Sequence, residues 1–242
     1  LEGTTLDPTD YKVDTNGQTV TVTFTKVGLG KLKAAAGKSV QAVFEGKVVS
    51  ASNNGDITNQ AQLISDTTYA EQPPEPSDPP ANPNNPPTTE TVTTYWGDLT
   101  IKKVDSHDKN ASKAGLKGAE FQIYKAKDAY ADTCSPEADG QPLTINGEST
   151  FTTGEGGTIN FKALFVSDSV QDAGRDNRVD APHRCYVLVE TKAPAGYVLP
   201  ADASRAITVE PGAGVTQQVV IDNVKQSVPG LPLTGANGML IL

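Results

Sequence analysis

The sequence predicts an all-β chain, two thin β-sandwiches in tandem followed by a flexible tail. Three observations carry that prediction. Apolar and polar residues alternate over short runs, as in Gln18–Thr25, where Val20, Val22 and Phe24 share one face and threonines the other. Turn formers are dense, with 22 glycines and 17 prolines among 242 residues. Apolar residues at helical spacing are scarce, and 36% hydrophobic content with 6% aromatics suits a thin sandwich better than a deep enzyme-like core.

The length allows one or two domains. A net charge of −9 and a pI near 4.7, with no basic patch, disfavour nucleic acid and anionic membrane surfaces as partners. Leu1-Glu2-Gly3 is no secretory n-region. Met239-Leu240-Ile241-Leu242 only begins an apolar run, whereas a membrane-spanning helix needs about 20 such residues. Both ends are therefore expected to be cut from a longer precursor. The two cysteines, Cys134 and Cys185, are expected to form one disulfide in an exported protein and to be buried free thiols in a cytosolic one.

Residues 1–96 read as a first domain. Asp14-Thr15-Asn16-Gly17 signals a hairpin turn ahead of the Gln18–Thr25 strand. Val27–Ala35 is expected to make one short helix, and Ser39–Val49 another strand. In Gly55–Leu63, Ile57, Asn59, Ala61 and Leu63 share a face that is apolar except for Asn59. Asn59 is thus expected to point inward, as a hydrogen-bonded core amide or as one that has reacted. Glu71–Thr88 is proline-rich, favours polyproline II and is expected to be an exposed loop within this domain. Thr89–Trp96, rich in β-formers, would be the domain's last strand, running through Gly97-Asp98 into the next domain. The Gly55–Leu63 strand resembles the Gly-x-Ile-x-Asn-x-Ala closing strand of fimbrial isopeptide-forming domains. That resemblance implies that Asn59 accepts an isopeptide bond from a lysine on an early strand. The early strand is expected before Leu1, since Lys12 and Lys26 do not sit where it should be, so this CNA-like domain is read as truncated.

Residues 97–225 read as a second domain. Leu99, Ile101 and Lys103 share one face of its opening strand, with Lys102 on the other. Leu116–Tyr124 is a further strand, and a turn at Gly154–Gly157 leads into another at Thr158–Phe161. Tyr186, Leu188 and Glu190 face one way along a strand that ends in a Pro194–Gly196 bend. Val219, Ile221 and Asn223 share a face of the closing strand. Lys103-Val104-Asp105, Leu116-Lys117-Gly118-Ala119-Glu120-Phe121, Glu190-Thr191-Lys192-Ala193-Pro194-Ala195-Gly196-Tyr197 and Asn223 follow one another in the order of CNA-B type pilin domains, which this stretch resembles throughout. The resemblance implies immunoglobulin-like sandwiches in tandem.

Lys103, Glu190 and Asn223 are polar residues at inward positions of three strands. Burial disfavours both charges, leaving a neutral, nucleophilic amine and a protonated carboxyl. The carboxyl is expected to donate to the Asn223 side-chain oxygen and make its carbon more electrophilic. Attack by Lys103 would release ammonia and leave an isopeptide bond, and the family resemblance assigns these same roles. The competing reading is a buried Lys103–Glu190 ion pair beside a satisfied core amide. A Cys134–Cys185 disulfide would pin the long insertion that starts at Lys125.

Residues 226–242 carry no helix or strand signal. They hold Leu231-Pro232-Leu233-Thr234-Gly235, which fits Leu-Pro-x-Thr-Gly behind a Pro/Gly stem. Pro232 favours an extended peptide that loses little entropy on entering a groove. This resembles the sorting signal of Gram-positive surface proteins, and the whole chain resembles the C-terminal part of sortase-assembled pilins, the SpaA-type major shaft pilins most. The resemblance implies that a pilin-class sortase attacks the Thr234 carbonyl and releases Gly235 onward. A lysine of a neighbouring pilin subunit would then take the acyl group, or peptidoglycan would through a housekeeping sortase. It further implies an extracellular, wall-attached structural subunit whose only catalysis is its own crosslinking. The Tyr-Pro-Lys type acceptor motif of such pilins does not occur here.

A wall-anchored adhesin binding a host surface protein, or a tip or basal pilin, is the alternative on the same scaffold. It ranks second because Tyr130 stands alone among Ala, Asp, Gly and Pro in the insertion. A secreted enzyme ranks third. No cofactor is expected. Asp168, Asp172, Asp176 and Asp180 recur every four residues and could form a loose calcium site, but the spacing is not that of an EF-hand, and a solvated acidic loop is the better reading. His107 and His183 lack metal-ligand spacing.

Overall fold

The computed structural model describes residues 5–64, 88–110, 113–170 and 177–227. Leu231–Gly235, Asp172, Asp176 and all of the proline-rich segment except Thr88 lie outside them. The chain divides into two compact units, residues 1–47 with 59–91 and residues 48–58 with 92–242.

The alternating stretch at the start of the first unit folds as the expected hairpin. β1 (Tyr11–Asn16) pairs antiparallel with β2 (Thr19–Phe24), with Val13 opposite Val22. Gly17 at the turn has φ +60°, a conformation that glycine adopts without strain. α1 (Lys26–Ala34) follows, one residue ahead of the expected start. The Thr25 hydroxyl caps it by accepting the Gly28 amide at 3.2 Å. Ser39–Val49 forms no strand, against expectation. Its apolar residues lie open, Phe44 at 60% and Val43 at 75% exposed, so alternation there has no layer to bury against. The strand expected over Gly55–Leu63 is shorter, β3 (Asp56–Asn59). Asn59, Ala61 and Leu63 are exposed, which corrects the expected inward placement of Asn59. Alternation identifies a shared face but not whether a second layer covers it.

The second unit is a sandwich of two sheets. Its further strands are β4 (Val92–Asp105), β5 (Glu120–Ala126), β6 (Ala138–Asp139), β7 (Phe151–Thr152), β8 (Thr158–Asp168), β9 (Arg184–Lys192), β10 (Tyr197–Val198), β11 (Ser204–Val209) and β12 (Gly212–Lys225). One sheet runs β10-β12-β4-β3 with β8 also on β4, and the other runs β11-β9-β5-β6 with β7 also on β5. β4 and β12, early and last, are parallel neighbours. Leu99, Ile101, Phe121, Ile123, Phe161, Leu188, Val209 and Ile221 fill the space between the sheets.

Val92–Trp96, expected to close the first domain, are instead the start of β4. Thr94 and Tyr95 pair with Asp168 and Ser167 of β8, and the Trp96 amide donates to the Gly55 carbonyl at 2.7 Å. β4 thus passes unbroken through Gly97-Asp98 and carries Lys103 deep into the sandwich. Gly97 is required there, because a Cβ would lie 2.1 Å from the Glu210 carbonyl oxygen. β9 is buried on both faces. Tyr186, Leu188 and Glu190 face the core, while Cys185 and Val187 lie with Ala126 in a second cluster against Ala131 and Cys134 of the β5–β7 excursion. Cys134 and Cys185 are disulfide-bonded, with a Cα–Cα distance of 5.5 Å.

Candidate functional site

Three strands bring Lys103, Glu190 and Asn223 to one place. In the parallel β4–β12 pair, Ile221 stands opposite Lys103 and Asn223 opposite Asp105. Glu190 comes from β9 in the facing sheet. Each side chain takes the inward position its strand's alternation assigned, and the three are 0%, 2% and 2% exposed. Lys103 Nζ donates to Asn223 Oδ1 at 2.6 Å and to the Ile221 carbonyl at 3.2 Å. Asn223 Nδ2 donates to Glu190 Oε1 at 2.7 Å, and Glu190 Oε2 lies 3.3 Å from Lys103 Nζ. Amine, amide and carboxyl close a ring.

Burial pushes the Lys103 amine below its ordinary pKa, against the opposing pull of the Glu190 charge. Burial likewise pushes the Glu190 carboxyl up, opposed by Lys103 and by the hydrogen bond from Asn223. Both shifts run toward the uncharged pair, amine and carboxylic acid, the direction that burial alone dictates.

The amide is oriented otherwise than expected. Its nitrogen, not its oxygen, faces Glu190. Donor–acceptor matching explains this: the amine gives its protons to the amide oxygen, leaving the amide N–H for a carboxylate oxygen. One carboxyl oxygen thereby stands beside the attacking nitrogen and the other beside the nitrogen that would leave. The ring is fitted for transfer of an acyl group from one nitrogen to the other.

The remaining candidates disperse. Asn59 stands exposed at the end of β3. His183 lies with Cys134 and Cys185, their ligand atoms within 4.8 Å of one another, but the two sulfurs are bonded to each other and are not thiolates. Asp168 is buried and Asp180 exposed. The sequence reading passed over two residues. Asp105 lies on Lys103's face two positions further on, so the same alternation pointed to it. Arg184 is 2% exposed, with its guanidinium donating to the Tyr130 hydroxyl at 2.6 Å and lying 5.0 Å from that ring's centre. An arginine opening an apolar run was its only signal.

Comparison with known proteins agrees with this architecture. The family described as "SpaA: Prealbumin-like fold domain" matches residues 97–225. Fimbrial subunit type 2 of Actinomyces naeslundii is 83% identical over all of this chain, which covers 45% of that protein. The crystal structure of the Actinomyces fimbrial adhesin FimA superposes with a TM-score of 0.77 at 61% identity, over 93% of this chain and 78% of that one. Domains D2 and D3 of the major pilin SpaD from Corynebacterium diphtheriae give a TM-score of 0.63 at 29% identity, with the same coverage. The chain spans less than half the length of the curated fimbrial subunits it matches.

Proposed function

This chain belongs to the family of SpaA prealbumin-like fold domains, and we propose that it is the C-terminal part of a structural subunit of a covalently polymerised surface fimbria, self-crosslinked between Lys103 and Asn223. The observation that carries this reading is the buried ring of Lys103, Asn223 and Glu190, with contacts of 2.6, 2.7 and 3.3 Å. Such a ring is a poor stabiliser as an ion pair alone, because burying two charges costs about as much as their attraction returns. As a reaction centre each distance has a use.

A proton passes from the Lys103 ammonium to Glu190 Oε2, giving a neutral amine and a carboxylic acid. The amine attacks Asn223 Cγ, and the Nζ–Cγ bond forms. The Cγ–Nδ2 bond breaks, and Nδ2 leaves as ammonia with the proton from the Glu190 carboxyl, while Nζ gives its second proton to Glu190 and keeps one as the isopeptide N–H. Nothing is oxidised or reduced, and one ammonia is lost. Fixed approach of the reactants supplies much of the rate. Peptide mapping tests the bond: a Lys103–Asn223 crosslinked peptide is expected, and two linear peptides in its place would refute it.

Thr234 in Leu231-Pro232-Leu233-Thr234-Gly235 is the acyl donor for linkage by a pilin-class sortase to a lysine of the next subunit, or by a housekeeping sortase to peptidoglycan. The subunit lies outside the cell, attached to the wall of a Gram-positive bacterium. Thr234→Ala is expected to abolish the ladder of covalent polymers on cells expressing the full-length protein, and an unchanged ladder would exclude this donor. Division into a CNA-like first domain and a CNA-B type second domain remains the working description, with 48–58 and 92–96 added to the second. A second reading, adhesion to a host surface protein, is favoured by the adhesin FimA being 61% identical. It is compatible with the first and is tested by binding of fimbriated cells to host receptors.

A further inference from the structure

We propose that Asp105 is a positioning residue for the Lys103–Asn223 reaction: it fixes the register of β12 against β4 so that the Asn223 amide, and not a neighbour two positions along, meets the amine. The inference rests on the crosslinking proposed above.

The register needs fixing. The β4–β12 pairing is parallel and is interrupted between Gly212 and Gln217. Alternation rejects a slip of one residue, which would turn Asn223 outward. It does not reject a slip of two, which keeps every side chain on its own face while moving Asn223 about 7 Å along β4. Ile221 or Lys225 would then stand where Asn223 does, and neither carries an amide to attack.

Asp105 is the next inward residue of β4 after Lys103 and stands opposite Asn223. Its carboxylate accepts from the His107 amide at 2.9 Å and from the Tyr197 hydroxyl at 3.0 Å, and Lys225 Nζ lies 3.1 Å away. Tyr197 and Lys225 are cross-strand partners in β10 and β12. One carboxylate therefore ties β4, β12 and β10 together, two residues past the reacting group on each of β4 and β12. The Ser106 amide continues the ladder, donating to the Asn223 carbonyl at 3.1 Å. Asp105 is 8% exposed, so a slipped register that removed its partners would leave a nearly buried charge unmatched. The His107 amide foremost, then Lys225 and Tyr197, hold its pKa to about 2, so the clasp stays charged wherever Lys103 and Glu190 react.

The test is the rate of ammonia loss from the full chain, read by intact mass after a pulse of synthesis. Only protease-resistant, folded chains are counted. Asp105→Ala is expected to slow the loss about tenfold, the scale of a hydrogen-bonded charge. Asp105→Asn keeps an acceptor oxygen for the His107 amide and an N–H that the Tyr197 hydroxyl can accept, but not the charge facing Lys225, and is expected to recover part of the rate. Tyr197→Phe and Lys225→Met each remove one arm, slow the reaction by smaller factors, and serve if Asp105→Ala does not fold. The thermal midpoint is measured beside the rate in a Glu190→Ala background, where no crosslink forms. A lowered midpoint with wild-type rates in all folded variants would make Asp105 merely structural and overturn the proposal. If the wild-type chain itself keeps its ammonia, the crosslinking reading fails, and this one with it.

Discussion

Lys103 and Glu190 are each unfavourable alone in the sandwich interior, and their shifts toward the uncharged forms follow from that burial. Glu190→Gln keeps the hydrogen-bonding shape but cannot carry the proton, so the variant is expected to fold and retain its ammonia, read by intact mass. The amine–acid pair and the ammonium–carboxylate pair hold the same number of protons. The rate of crosslinking is therefore expected to be flat across the middle of the pH range. It should fall at low pH, where the amine is protonated beside a neutral acid, and at high pH, where the acid proton is gone. At Asp105 the sign is different. Its folded pKa of about 2 lies below the ordinary 3.8, so its contribution to stability is complete above the ordinary value. That contribution is lost as pH falls through 3.8 toward about 2. Asp105→Asn should flatten this acid limb of a stability–pH curve in a Glu190→Ala background.

β4 and β12 are the elements on which the site depends, and Gly97 shows how closely β4 is held. Gly97→Ala must displace the Glu210 carbonyl and is expected to cost about 1–3 kcal/mol in denaturant unfolding, as overpacked sites do. The inward residues of β4, β9 and β12 were legible in the sequence because a strand's period of two assigns faces without reference to anything else. Lys103, Glu190 and Asn223 could be found in this way. Coverage was not legible. Alternation puts Asn59 on one face with Ile57, Ala61 and Leu63, yet nothing in a local pattern says whether another layer lies over it, and it is exposed. The converse holds for Cys185 and Val187, buried on the outer face of β9 by a distant excursion. Nor does periodicity fix the direction in which the Asn223 amide turns, which depends on the donors and acceptors it meets. The disulfide that pins the excursion is expected to contribute about 2–4 kcal/mol. Its reduction should expose the 127–150 segment to protease, while the proposed Lys103–Asn223 bond, on other strands, would persist.

After the β3 segment, the chain re-enters the second unit's sandwich on β4 and leaves it on β12, two adjacent parallel strands. Tension between entry and exit therefore shears the pair along its length. A covalent bond from Lys103 to Asn223 would route that tension across the sheet and shield the 120-residue span between them. Stretching single chains in a force experiment should leave this span folded in the wild type. In Glu190→Gln with the Cys134–Cys185 disulfide reduced, the span should extend by about 400 Å at the usual length per residue. On the proposed reading, a shaft subunit needs a body that does not lengthen under load, and the chemistry of three buried side chains would become a property of the whole fimbria. The intact mass of the wild-type chain, with the disulfide reduced, tests that chemistry most directly. It should fall short of the sequence mass by one ammonia. A mass equal to that of the unmodified sequence would mean that Lys103, Glu190 and Asn223 form only a hydrogen-bonded core cluster.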